Sequence, residues 1–141
     1  MSAQALEKPA ATAAAAARFR PEVQWRQASV LSGDFSCKGQ AEHAILGTNK
    51  TEIVVAIFVN SLSKPPSVLA FSASARNPAT AELKIEANDF DLKQFEQEVG
   101  YVPEGLQPSK TCMGLSLSDG DTDAAHIYWN RRARTFSAWS Q

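Results

Sequence analysis

From Ile53 to Val59 the chain runs Ile-Val-Val-Ala-Ile-Phe-Val without a polar break. Such a run predicts a strand buried on both faces, and therefore central in a sheet. Val68–Phe71 predicts a shorter strand. Leu83, Ile85 and Ala87 alternate with Glu82, Lys84 and Glu86, the period of a strand with one face in water. Asn60–Pro66 (Asn-Ser-Leu-Ser-Lys-Pro-Pro) reads as a loop, because two prolines cannot both serve a central ladder. The period changes at Asp91: Leu92, Phe95 and Val99 recur at helical spacing. Asp91 supplies a cap and Gly100 a stop, so one short amphipathic helix is expected near 91–99.

Two stretches, 39–58 and 120–139, repeat one pattern 81 positions apart, the separation of Gly39 and Gly120. At that offset Glu42 meets Asp123, Leu46 meets Ile127, Asn49 meets Asn130, Lys50 meets Arg131 and Phe58 meets Trp139. Each copy reads as a Gly-acidic loop, a strand, a polar turn and a second strand. Repetition of this kind fixes architecture. The fold expected is mostly β (α+β): an antiparallel sheet domain of about six or seven strands, built from two similar hairpins, with one short helix. Residues 21–141 form this single domain, and residues 1–20 are a flexible Ala-rich leader.

The repeated unit resembles the strand-loop-strand repeat of FG-GAP and VCBS-type β-propeller proteins, whose loop, Asp-x-Asn/Asp-x-Asp-Gly-x-x-Asp, holds calcium. The first loop here, Asp34–Glu42, keeps the first carboxylate, the glycine and the last acid, but Lys38 stands at the fifth position. The second, Leu115–Asp123, keeps the fifth and ninth positions and has leucines at the first and third. Neither supplies the roughly six to eight oxygens that calcium takes. The acids are therefore expected to bond to nearby backbone N–H groups in turns, with no metal and no cofactor. A weak cation site at Asp119, Asp121 and Asp123 is the rival reading.

Composition narrows the function. The 141 residues carry a net charge of −1, which argues against nucleic acid, and no run is long enough for a membrane span. Cys37 and Cys112 have no metal-ligand spacing, leaving a disulfide or two buried thiols. Each lies at the loop of its own repeat, which favours the disulfide. That bond would stabilise the fold by about 4 kcal/mol in the chain-entropy model and implies an oxidising compartment. The leader then reads as a tether, with Met1 standing where a secretion signal has been removed from a lipid-anchored precursor. A disordered cytosolic tail is the alternative.

No GxSxG, Walker, HExxH or dinucleotide fingerprint is present. His126 shares a strand face with Tyr128; it is read as a base acting with Cys112 or an aspartate, or as a strand histidine packed among aromatics, and the packing reading is preferred. His43 does not coincide with it in the repeat. Asp89 and Asp91 are candidate paired carboxylates for a small hydrolase, although a helix start attracts acids for dipole and capping reasons alone. Tyr128, Trp129, Phe136 and Trp139 are candidates for stacking on sugar rings in a carbohydrate- or protein-binding module. The remaining candidates are cationic loops: Ser61, Ser63 and Lys64 before the stiffening Pro65-Pro66, and Arg131 and Arg132, with Arg134, at the final turn.

With its tether and cysteines, the chain is similar in style to small periplasmic lysozyme inhibitors and to immunity lipoproteins that neutralise peptidoglycan hydrolases. That resemblance implies a non-enzymatic, periplasmic or secreted binding protein. Its partner would be a secreted cell-wall hydrolase, blocked when the loop enters the cleft and Lys64 meets the catalytic carboxylates.

Overall fold

The computed structural model describes residues 3–120 and 122–140, with side-chain surroundings from Lys8 onward. Among these residues, eight strands make two four-stranded antiparallel sheets, accompanied by two α-helices. The first sheet is a meander of β1 (Gln24–Gly33), β2 (Glu42–Thr48), β3 (Glu52–Phe58) and β4 (Ser67–Ser72). The second repeats the plan with β5 (Glu82–Ala87), β6 (Met113–Ser118), β7 (Ala125–Asn130) and β8 (Thr135–Trp139). Helix α1 (Ala3–Phe19) precedes the first sheet, and α2 (Leu92–Val99) lies between β5 and β6.

The sheets face each other across one core. Ala44, Leu46, Ile53, Val55 and Ile57 come from the first; Leu83, Leu115, Leu117, Ile127 and Phe136 come from the second. Fully burying each of the larger side chains contributes roughly 1.5–3 kcal/mol. The apolar run of β3 behaves as its sequence predicts: Ile53 to Phe58 are all buried, and β3 is interior to its sheet. Helix α2 also follows its sequence. Asp91 Oδ1 accepts the Gln94 N–H at 2.9 Å, and Gly100 closes the helix at φ 99°.

Three departures from the sequence reading have physical causes. Strand β1 was not foreseen because its alternation breaks: Arg26 pairs with Leu46 and Leu31 with Ala44, so residues 27–30 bulge opposite Ile45. Ser29 patches the gap, its hydroxyl donating to the Arg26 carbonyl at 2.6 Å and accepting the Leu46 N–H at 2.9 Å. Second, Leu115 and Leu117, which the loop comparison aligns with cation-ligand positions, are core residues of β6. Third, residues 3–19, expected to be a flexible leader, form α1. Its Ala15 and Ala16 are fully buried against Ile45, Ala56 and Phe58 on the outer face of the first sheet. Small side chains let that helix approach closely, and Trp25 closes its end by donating Nε1–H to the Arg20 carbonyl at 3.2 Å.

Polar and covalent links fix the two sheets to each other. Arg26 donates to the carbonyls of Ala81 (2.9 Å) and Pro78 (2.5 Å) at the start of β5. At the other end of β1, Cys37 is joined to Cys112 in a disulfide and the Asp34 carbonyl accepts the Met113 N–H at 2.8 Å. These links set β1 along β5 in the same direction. The β3–β4 loop and the β7–β8 turn consequently emerge at the end that carries the disulfide.

Candidate functional site

The acidic loops are built by their own carboxylates. In the first, Asp34 accepts backbone N–H groups from Lys38 (3.0 Å) and Gly39 (2.9 Å). Glu42 is 1 % exposed and accepts the N–H groups of Phe35 (2.9 Å) and Ser36 (2.7 Å) together with the Ser36 hydroxyl. In the second, Asp119 accepts the N–H and hydroxyl of Thr122 and the N–H of Asn77, the last at 2.7 Å. Asp123 is exposed, and Asp121 lies outside the described residues. Gly39 and Gly120 both take positive φ, 76° and 84°, as the shared turn requires. Among the described residues no group of three or more acids, histidines or cysteines converges as metal ligands.

The partner-binding candidates fall on two exposed loops. Ser61, Ser63 and Lys64 are all exposed. The loop that bears them is braced from within: Ser61 Oγ and Ser63 Oγ lie 2.8 Å apart, and the Lys64 N–H donates to the Ser61 carbonyl at 3.3 Å. Between them Leu62 packs into the cluster under α1. Arg131, Arg132 and Arg134 are exposed on the β7–β8 turn. Asn130 shapes that turn, its Oδ1 accepting from Arg132 N–H and Ala133 N–H at 3.1 and 3.0 Å. The two loops share an end of the sandwich, a neighbourhood that their distant sequence positions do not announce.

A different cluster occupies the outer face of the second sheet. His126 Nδ1 lies 2.7 and 3.0 Å from the two carboxylate oxygens of Glu86. Its ring stacks on Trp139 at 4.3 Å, Trp139 meets Phe95 of α2 edge-on at 5.2 Å, and Phe95 meets Phe90 at 5.0 Å. These residues, with Asn88, Leu106 and Tyr128, line a cavity of about 190 Å³. The Tyr128 hydroxyl donates to the Glu104 carbonyl at 2.7 Å, and burial pushes its phenol above the ordinary value. It therefore stays a neutral donor at physiological pH.

His126 thus takes Glu86 as its acid and Trp139 as its platform. Cys112 is held in the disulfide and is not available as a nucleophile. Asp91 is engaged as the cap of α2, while Asp89 is exposed beside it. Of the four aromatics offered for sugar stacking, Phe136 is buried in the core with Trp129 packed on it at 5.0 Å. Tyr128 and Trp139 face outward. Glu86 and Asn88 were not foreseen as site residues. Glu86 stands out only once β6 is set between β5 and β7, which brings it diagonally across to His126.

No protein family, curated protein or solved structure matches this chain. The likeness to calcium-loop repeats therefore rests on the residues of the two loops alone.

Proposed function

We propose that this chain is a non-enzymatic binding protein of an oxidising compartment, periplasmic or secreted, that engages a protein partner through the disulfide-tied end of its sandwich. One observation carries the reading: two braced, exposed cationic loops, with Lys64 on one and Arg131, Arg132 and Arg134 on the other, emerge at the same end. A loop already held in shape loses less entropy on binding than a free one. Arginines and a lysine grouped there select an acidic counter-surface and speed encounter with it. The active-site cleft of a lysozyme-like peptidoglycan hydrolase, with its pair of carboxylates, fits that description. Lys64 enters the cleft, and the arginines hold its rim. The Cys37–Cys112 disulfide supports the compartment, since such bonds persist where thiols are not kept reduced.

The test is inhibition of a panel of secreted cell-wall hydrolases by the full chain, after pull-down from periplasmic extract has named the binders. Lys64→Glu is expected to abolish inhibition, and Arg131→Glu with Arg132→Glu to slow association at low salt and flatten its dependence on salt. Inhibition that survives all three substitutions unchanged would reject this surface.

A further inference from the structure

The geometry points to a second binding site, the cavity on the outer face of the second sheet, whose ligand is a single sugar ring bearing an acetamido group. The central observation is Asn88. It is 9 % exposed and lines the cavity, yet its carboxamide finds no hydrogen-bond partner among the described residues. Side-chain polar atoms wholly shut off from solvent are all paired among the described residues, so the carboxamide reaches the cavity rather than lying sealed in protein. The carboxamide therefore depends on the contents of the cavity for its hydrogen bonds, and a ligand amide offers the matching donor and acceptor together.

Gly114 makes room for this group. A Cβ there would come 3.2 Å from Asn88 Oδ1 and 3.0 Å from the Ile127 carbonyl. Size sets the next limit. At about 190 Å³ the cavity is slightly larger than the roughly 150 Å³ space that accommodates one benzene ring. One six-membered ring with a short substituent fits that scale, and a longer chain does not. The walls then choose the kind of ring. Phe90, Phe95 and Trp139 offer aromatic surface to the C–H face of a pyranose, while His126, whose Nδ1 is taken by Glu86, keeps its Nε2 for a hydroxyl. A purely apolar ring would leave Asn88 unpaired. An organic cation has a weaker claim, because the Glu86 carboxylate is already engaged by His126 at 2.7 and 3.0 Å.

The experiment is an NMR titration of the full 15N-labelled chain with N-acetylglucosamine, its trisaccharide and glucose. Saturable shifts at the Asn88 side-chain amide and the Trp139 indole are expected with the N-acetylated sugars and not with glucose. Asn88→Ala should weaken binding about tenfold or more, the loss that follows removal of a buried hydrogen-bonding partner. Should Asn88→Ala melt early, Gly114→Ala serves instead: it keeps the asparagine but displaces its carboxamide, and a comparable loss is expected. Tighter binding of the trisaccharide marks the end of a glycan chain as the ligand, whereas equal affinity marks the free sugar; both outcomes support the site. Absence of saturable shifts, equal response to glucose, or unchanged affinity in a variant that folds as the wild type would overturn it.

Discussion

The two sheets are the same meander facing the same core, and they differ in what lies on their outer faces. On the first, Ile45, Ala56 and Phe58 are covered by α1, a 17-residue helix with Ala15 and Ala16 fully buried. On the second, Glu86, His126, Tyr128 and Trp139 meet α2, an eight-residue helix with no buried residue that touches the sheet through Phe95. An apolar outer face is closed permanently by a helix, because its burial is stabilising everywhere. A polar and aromatic face is covered only in part, and a cavity survives there. Architecture is thus shared, and the two outer faces differ in what covers them.

The strongest way to break the pair is to cut the bond between them. Cys37→Ser with Cys112→Ser reopens a loop of 75 residues and is expected to cost about 4 kcal/mol. Thermal melting followed by near-UV circular dichroism should show a midpoint lowered on the order of 10 °C. Both sheets should still unfold in one transition, since they share one core. Two separated transitions would show instead that each sheet stands alone.

The acidic position of the repeat offers the next comparison. Glu42 and Asp123 coincide at the offset, but Glu42 is buried under four donated hydrogen bonds and Asp123 is exposed. Glu42→Ala leaves the N–H groups of Phe35 and Ser36 without their partner and is expected to cost about 3 kcal/mol. Asp123→Ala should stay within about 0.5 kcal/mol. Denaturant melts of the two variants check this, and equal losses would mean that the two loops are built alike after all.

That asymmetry shows what was legible in the sequence. The hairpins were, because Ile53–Phe58 has only one reading and because Asn49 and Asn130 mark equivalent turns. The helix at Leu92–Val99 was too, since its spacing, cap and stop are all local. Helix α1 was not: an alanine run is marginal as an isolated helix, and what holds it is a partner face assembled from β2 and β3. Strand β6 was hidden because its two leucines were read as loop positions. For the pocket, His126, Tyr128 and Trp139 were visible as residue types worth watching. Glu86 and Asn88 looked like ordinary polar positions at the end of a half-wet strand. Only the registers of β5 on β6 and β6 on β7 bring them to the histidine.

The turn asparagines give a finer comparison. Asn49 Oδ1 accepts the N–H groups of Thr51 (3.0 Å) and Glu52 (2.8 Å), as Asn130 Oδ1 accepts those of Arg132 and Ala133. Both also donate Nδ2–H, Asn49 to Glu52 Oε1 at 3.4 Å and Asn130 to Ser137 Oγ at 3.2 Å, but Asn130 is buried and Asn49 only half-buried. Asn130→Ala is therefore expected to cost about 2 kcal/mol and Asn49→Ala about 1 kcal/mol. Urea unfolding of both variants reads the difference, and a larger loss at Asn49 would contradict it.

The smallest effect separates the faces by pH. His43 lies on β2 with Nδ1 2.9 Å from Ser32 Oγ. Burial, and secondarily the charge of Lys8 on α1, holds its pKa below the ordinary 6.5. Above the unfolded value both states carry a neutral imidazole, and the full stability is present. As pH falls below that value the unfolded chain takes a proton that the folded chain refuses, so stability declines until the folded pKa is passed and the loss levels off. Comparing wild type with His43→Asn between pH 7.5 and 5, on the order of physiological to endosomal acidity, isolates this contribution from the carboxylates. The wild type should lose slightly more stability on acidification than the variant. Lys8→Gln should remove the lesser part of that difference, because burial is the larger cause. A difference that vanishes with Lys8→Gln would mean that charge, not the covered outer face, governs His43. Steeper acid loss in His43→Asn than in the wild type would reverse the sign of the argument itself.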